Sequence, residues 1–317
     1  MERPQVGKIE KKVVNFAYRT FQRLNPLIYI YEPIISKETK KYSEGTNVDG
    51  QSHSIYSDGD TTPDHEFKIF HRRGIEAFAL TDHDTIQHWE SCERAELKYP
   101  NTVNIPAIEI STRGGDILGY FPSYDCKNHP AVKELASGKK YSIEKTIDFI
   151  HEAGGVAIAP HPNKSRGIGL RELIILSNKL DGVEAINTEA GENECETIGQ
   201  HLGIACIGSS DSHCKVTKGS AFTHMPDDCY KNSFEDGKLN KDKFRRGFLD
   251  CIREERPRIK ESLPPKLKPF RAISSGIEQN IGKTSYSNPF LVMLKFTEYF
   301  LDKDKAVAKR LEACLEE

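Results

Sequence analysis

Paired cysteines, a basic excess, long apolar runs and internal repeats are all absent from this sequence, and each absence removes a class of function. The eight cysteines, Cys92, Cys126, Cys195, Cys206, Cys214, Cys229, Cys251 and Cys314, include no C-x-x-C pair. Their spacing excludes a zinc ribbon and a dithiol redox motif, and scattered thiols fit a reducing compartment. Lys and Arg number 45 against 47 Asp and Glu, a formal net charge of −2. That balance lacks the basic footprint of a general nucleic-acid binder, though it leaves room for a local basic pocket. The apolar stretch at 16–35 is broken by Arg19, Arg23, Asn25 and Pro26 and falls short of a membrane span. Met-Glu-Arg-Pro-Gln opens no signal peptide. The expectation is a cytoplasmic protein with no membrane partner.

What is present is an alternation of strand and helix signals. A hydrophobic content of 37% over 317 residues is enough for one large core with extensions. Residues 1–44 read as an extension, with Val13, Val14, Ala17, Phe21 and Leu24 near helical spacing. From residue 45 to 262 a main domain extends. Its predicted helices are 63–73, 142–153, 170–180, 193–202 and 240–258; its predicted strands are 75–81, 103–108, 117–121, 156–159, 182–186 and 204–208. Repeated β-then-α units imply parallel strands with right-handed crossovers, in an open doubly wound sheet or a barrel. Leu263-Pro-Pro-Lys-Leu-Lys-Pro269 then reads as a linker into a helical tail, 263–317.

Residues with metal-ligand chemistry recur at the strand ends. Asp49, His53 and Asp58 fall after the first strand position, His83 after the second, and Glu109 after the third. His161 comes after 156–159, and Asp211 with His213 after 204–208. In a parallel β/α architecture the carboxyl ends of the strands share one face, where active sites are built. One such histidine is more often a hydrogen-bonded structural residue than a ligand. Five strand ends bearing His, Asp or Glu form a cluster that a cation has to neutralise, and mixed imidazole and carboxylate donors suit zinc, manganese or iron.

These segments resemble the PHP (polymerase and histidinol phosphatase) superfamily. Asp49-Gly-Gln-Ser-His53-Ser-Ile-Tyr-Ser-Asp58-Gly59 is similar to its opening motif, and Thr81-Asp-His83-Asp-Thr85 to its second. Ile105-Pro-Ala-Ile-Glu109-Ile-Ser-Thr112 resembles the segment with the bridging glutamate, and Ile117-Leu-Gly-Tyr120 the strand after it. Gly154-Gly-Val-Ala-Ile-Ala-Pro-His161-Pro162 and Gly208-Ser-Ser-Asp211-Ser-His213 resemble the third and fourth motifs, and Gly219-Ser-Ala-Phe-Thr223 the next strand. The resemblance covers roughly 48–260 in order. It implies an α/β fold, a distorted (β/α)7 barrel, with two or three divalent metal ions (manganese, zinc or iron). Carried over, His53, Glu109 and Asp211 hold one ion, Glu109 and His161 a second, and Asp58, His83 and His213 a third.

Two positions depart from the family pattern. Gln51 stands where the family has the first histidine of H-x-H, and Asp116 where it often has another histidine. An amide oxygen is a weaker ligand than imidazole, and a carboxylate shifts preference toward manganese, iron or magnesium. Asp49 is a candidate partner orienting His53; of Asp82 and Asp84, which flank His83, one is a candidate to orient that imidazole and the other reads as turn chemistry. Ser209 and Ser210 read as caps or turns, and His88 and Trp89 as packing residues. Lys164, Arg166 and Lys218 are candidate phosphate contacts. The expected activity is metal-dependent hydrolysis of a phosphate ester, on a small phosphorylated substrate, a nucleotide or a nucleic-acid end. The 120–142 segment lacks the longer insertion of nucleoside-bisphosphate phosphatase relatives. A non-catalytic or regulatory PHP domain, favoured by Gln51, is the alternative. An amidohydrolase-type C–N hydrolase ranks last, because Glu109 takes the bridging position where that family often has lysine.

Overall fold

The computed structural model describes residues 46–187, 191–192, 195–215, 217–225, 230–254 and 258–261. All of them belong to one compact unit, Leu27–Leu263. The expected N-terminal helix and C-terminal helical tail lie outside the described residues. Among the described residues no helix is long and apolar enough to cross a membrane.

The strands are β1 (Thr46–Ser52), β2 (Ala77–Leu80), β3 (Val103–Ser111), β4 (Asp116–Tyr120), β5 (Val156–Ala159), β6 (Gly182–Asn187), β7 (Gly191–Glu192), β8 (Ala205–Ser209) and β9 (Ala221–Met225), then a small hairpin of β10 (Phe234–Glu235) and β11 (Lys238–Leu239), and last β12 (Arg258–Glu261). Their order across the sheet is β12-β9-β1-β2-β3-β4-β5-β6-β7, and β8 pairs with β6. Pairs β1–β2, β2–β3, β5–β6 and β6–β8 are parallel. The sheet nearly closes into a barrel where the chain after β8 meets the end of β1. There Asp211 N–H donates to Gln51 O at 2.9 Å and His53 N–H to Ser212 O at 2.9 Å.

One expectation is corrected. β4 runs antiparallel to both β3 and β5, so the sheet is not all-parallel. The four residues 112–115 between β3 and β4 are too few for a crossover, and only a hairpin reaches back. A second correction concerns the helix predicted at 240–258. It ends at Arg253, and Arg258–Glu261 is an edge strand on β9.

The helices are α1 (Pro63–Arg73), α2 (Trp89–Glu96), α3 (Pro130–Leu135), α4 (Ile143–Glu152), α5 (Leu170–Ile175), α6 (Cys195–Leu202) and α7 (Lys241–Arg253). Local chemistry sets their ends. Thr62 caps α1 with Pro63 in its first turn, and Gly74, at φ 71°, closes it in the left-handed region. Ser142 caps α4, and Gly154 lies just beyond its end. α5 is shorter than predicted, ending near residue 175.

Two apolar clusters explain why the strands read as continuous hydrophobic runs. The outer one joins Phe78, Leu80, Ile108, Ile110 and Ile117 to Phe67, Phe70, Trp89, Ile147 and Ile150 of the helices. The inner one fills the barrel with Val48, Ala77, Ala79, Val103, Ile105, Ala107, Leu118 and Ile158, and packs them on Phe244, Phe248 and Ile252 of α7. Emptying that contact with Phe248→Ala would cost about 3–5 kcal/mol. Cys92, Cys126, Cys195, Cys206 and Cys214 are free thiols.

Candidate metal centre

Strand alternation delivers the central carboxylate. Val103, Ile105 and Ala107 point into the barrel, so Glu109, two residues on, points inward above them. The β2–β3 ladder resumes beyond β2 as a parallel bridge between His83 and Glu109, which brings that imidazole alongside. On the other side, the register of β1 against β2 shifts between Asp49 and Ser52. Beyond this irregularity Gln51 and His53, two residues apart, both reach Glu109, as a bulge that re-aims side chains allows.

Backbone strain collects here. His161 (φ 31°), Asp211 (φ 50°) and Asp84 (φ 53°) are non-glycine residues in the left-handed region. Such conformations persist where surrounding structure over-determines them, and they gather at functional sites. Gly59 is needed for a different reason: a Cβ there would lie 2.1 Å from His53 O.

The resulting cluster has three groups whose ligand atoms all lie within 4.8 Å of one another: His53, Asp58, His83 and His213; His53, Glu109 and Asp211; and His83, Glu109 and Asp116. His53 Nε2 is 3.1 Å from Glu109 Oε2 and 3.2 Å from Asp211 Oδ1. His161 Nε2 is 3.1 Å from Glu109 Oε1. Asp58 Oδ2 sits 3.6 Å from His83 Nε2 and 3.4 Å from His213 Nε2. The His53 and His213 rings stack with centroids 4.2 Å apart.

The electrostatics show what the cluster lacks. Burial and the nearby His213 oppose protonation of His53, but hydrogen bonds and charge from Asp211 and Glu109 prevail and raise its pKa to about 10. His161 is raised to about 9, burial being outweighed chiefly by Glu109. Glu109 and Asp211 are held well below the usual carboxylate range, burial notwithstanding, by the surrounding histidines and Lys164. The carboxylates thus draw protons onto imidazoles. Buried atoms without hydrogen-bond partners include His53 Nδ1, His161 Nδ1 and Gln51 Oε1. A donor set of buried imidazoles and ionised carboxylates with orphaned lone pairs fits divalent cations.

With this geometry established, proteins similar to this chain are informative. No protein-family model matches it. An uncharacterized protein of Methanocaldococcus jannaschii is 35% identical over 134 residues, covering 42% of this chain and 70% of the archaeal protein. A two-domain protein of Bacteroides vulgatus, described as containing a predicted PHP-like metal-dependent phosphoesterase, superposes with a TM-score of 0.53 at 16% identity, covering 72% of this chain and 69% of that one. The protein PsfC of Pseudomonas syringae superposes with a TM-score of 0.52 at 13% identity, over 74% of this chain and 98% of its own. The chain belongs to the family of the archaeal protein and has the PHP fold. At these identities the solved structures establish the fold alone.

On this PHP barrel, Gln51, His53, Asp58, His83, Glu109, Asp116, His161, Asp211 and His213 come together at one end, as do Lys164 and Arg166. Lys164 Nζ lies 3.2 Å from Asp211 Oδ2, and Arg166 Nε 2.9 Å from Asp116 Oδ2. Gln51 turns its amide nitrogen to Glu109 Oε2 at 3.0 Å.

Lys218 is a correction. It is fully buried beneath the site, bonded to Glu66 (2.9 Å), His53 O (3.0 Å), Ser212 O (3.2 Å) and Ser52 Oγ (3.2 Å), and does not face a substrate. Asp82 does not orient His83. Both its oxygens take hydrogen bonds from the Ser54 and Ser57 loop, and one faces His88 at 3.2 Å. Asp84 accepts from Ser111 N–H instead (2.8 Å). Asp49 ties the backbones of Ser210 and Gly219 together and makes no contact with His53. Ser209 donates to Glu184. Trp89 and His88 are buried and bonded to Ala107 O and Leu80 O, in packing roles.

Sequence reasoning missed two neighbours of the cluster. Asn187 donates to Asp211 Oδ2 (3.1 Å) and to Glu184 Oε2 (2.9 Å), and Glu184 in turn accepts from His161 N–H (2.9 Å). Both belong to β6, and a polar residue in an otherwise apolar strand was the available signal.

Proposed function

We propose that this chain is a metal-dependent phosphoesterase acting on a small phosphorylated substrate or nucleotide. The observation that carries the reading is the convergence of His53, Glu109, Asp211, His161, Asp58, His83 and His213 within a few ångströms of one another. When bound, divalent cations supply a water of lowered pKa and neutralise charge on phosphate oxygens. His53, Glu109 and Asp211 would hold one ion, with Glu109 shared toward His161, and Asp58, His83 and His213 would hold another. Asn187 keeps the Asp211 carboxylate turned inward, and the bond from His161 N–H to Glu184 fixes that strained residue. Lys164 and Arg166, at the solvent edge, bring cationic groups to where an anionic substrate would enter.

A regulatory, non-catalytic domain is the second reading, and Gln51 favours it. Its amide N–H occupies a lone pair of Glu109 that a bridging carboxylate would offer to metal. Elemental analysis of the purified chain, with hydrolysis of an aryl phosphate with and without manganese, separates the two. Bound metal with metal-dependent turnover supports the enzyme. Bound metal without turnover on any of a panel of phosphomonoesters and nucleotides points to the regulatory domain, and absence of both removes the metal reading.

A further inference from the structure

We propose that the guanidinium of Arg166 stands in for a cation at the corner formed by His83, Glu109 and Asp116, confining bound metal to the remaining groups. The inference rests on the metal-site reading above. This corner meets the distance requirement for a metal as well as the other groups do. Its resident guanidinium reaches two of its three members, Asp116 and His83, whereas Lys164 meets only Asp211 of the central group. Arg166 Nε lies 2.9 Å from Asp116 Oδ2, in ion-pair contact rather than an aligned hydrogen bond. Nη1 lies 3.4 Å from His83 Nε2, and Nη2 lies 3.4 Å from His83 Nδ1. The guanidinium therefore lies against the His83 ring, with Nη2 on Nδ1, the nitrogen that faces Glu109 in this corner at 3.4 Å. Nη2 is also 3.4 Å from Ser111 Oγ.

Arg166 is half exposed, yet its placement is built into the backbone. Asp116 N–H donates to Arg166 O at 2.8 Å, so the same two residues are joined by main chain and by side chain. Next to them the β3–β4 hairpin and the loop after β5 press together. A Cβ on Gly115, at φ 132°, would meet Gly167 and Ile168 backbone atoms at 2.7 Å. A side chain anchored this way returns to one place, unlike a surface arginine on a free loop. A divalent ion entering the corner would have to displace it or sit against like charge. The Asp116 position is thus kept as the arginine's partner, not as a ligand.

The test is the metal content of the full-length wild type, Arg166→Ala, Arg166→Lys and the double variant Arg166→Ala/Asp116→Asn after equilibration with excess Mn²⁺ and desalting, with Mn²⁺ titration by calorimetry as a second readout. The expected result is one more ion per chain in Arg166→Ala than in wild type, and no gain in Arg166→Lys or the double variant. Metal bound equally by wild type and Arg166→Ala would overturn this inference and leave the proposed function standing. No metal in either would overturn both. A gain that persists in the double variant also overturns it, because the extra ion would then not use Asp116.

Discussion

Two charged clusters meet at His53, and they are built on opposite plans. Its imidazole faces Glu109, Asp211 and Asp58 in the candidate site, while its carbonyl faces the buried ammonium of Lys218. The lower cluster carries its own cation. Lys218 satisfies Glu66, His53 O, Ser212 O and Ser52 Oγ, and Glu66 with Asp60 raises its pKa although burial opposes this. The upper cluster has carboxylates without a matching buried cation; His53 and His161 take up protons instead, while burial lowers His83. A charge cluster built around its own fully buried lysine is architecture. One left open at strand ends, with orphaned imidazole nitrogens, is built to receive a ligand.

The sharpest way to break this comparison is to neutralise the open cluster at its centre. Glu109→Gln should abolish metal binding in the central group and lower metal-dependent turnover by more than about 100-fold, since even partners of metal ligands cost about 10–100-fold. Its stability without metal should fall, because the folded state holds this carboxylate ionised against His53 and His161, whose pKa values it raises. Elemental analysis, turnover and urea unfolding of the metal-free chain check the three parts. Metal-free stability that rises or stays level would show that the imidazoles do not offset the burial of Glu109.

Lys218→Met tests the lower cluster by stability alone. It leaves Glu66 buried and unpaired, with an expected loss of about 3–5 kcal/mol in urea unfolding. The paired variant Lys218→Met/Glu66→Leu should recover most of that loss, because removing both charges removes the uncompensated one. If the double variant is as unstable as the single, the bonds from Lys218 to the His53 and Ser212 carbonyls matter more than the ion pair.

Glu76 supplies a third case, a carboxylate with no cation beside it among the described residues. It accepts from Asn47 N–H at 2.9 Å at the opposite end of β2, and burial raises its pKa from 4.5 to about 7. The folded state therefore holds this proton more tightly than the unfolded chain. Where the native state binds more protons, stability falls as pH rises, here between about 4.5 and about 7. Comparing wild type with Glu76→Gln in unfolding at pH 5 and pH 8, the wild type should lose about 1–3 kcal/mol more than the variant. Parallel pH profiles would mean that the carboxylate is ionised without penalty.

The two clusters also differ in how far they could be read from sequence. The open one was legible because each of its residues must come after a strand, so His53, His83, Glu109, His161 and Asp211 keep order and spacing. The closed one was not, because burial of a lysine leaves no local pattern. Lys218 comes after His213 in a loop just as a substrate-binding lysine would, and its partner Glu66 looks like first-turn helix chemistry. The same limit applies to the fold. Periodicity marks β4 as a strand but not its direction, which only the shortness of 112–115 reveals. Pro257 was the available signal that α7 ends before Arg258.

The smallest expected effect completes the comparison of lysines. Lys164, like Lys218, lies against a carboxylate of this region, with Nζ 3.2 Å from Asp211 Oδ2. Lys164 is about a third exposed, at 30%, where Lys218 is at 0%. Water screens its charge, so Lys164→Ala should change stability by no more than about 1 kcal/mol. Its effect should appear in substrate affinity, because Asp211 bound to metal has less to offer the ammonium, which is then available to an incoming phosphate. A rise in KM of about tenfold with kcat little changed is the signature of lost uniform binding. Steady-state kinetics on whichever phosphate ester the chain hydrolyses checks this. A fall in kcat with constant KM would instead place Lys164 on the charge that develops during reaction, and a stability loss approaching that of Lys218→Met would erase the distinction between the open cluster and the closed one.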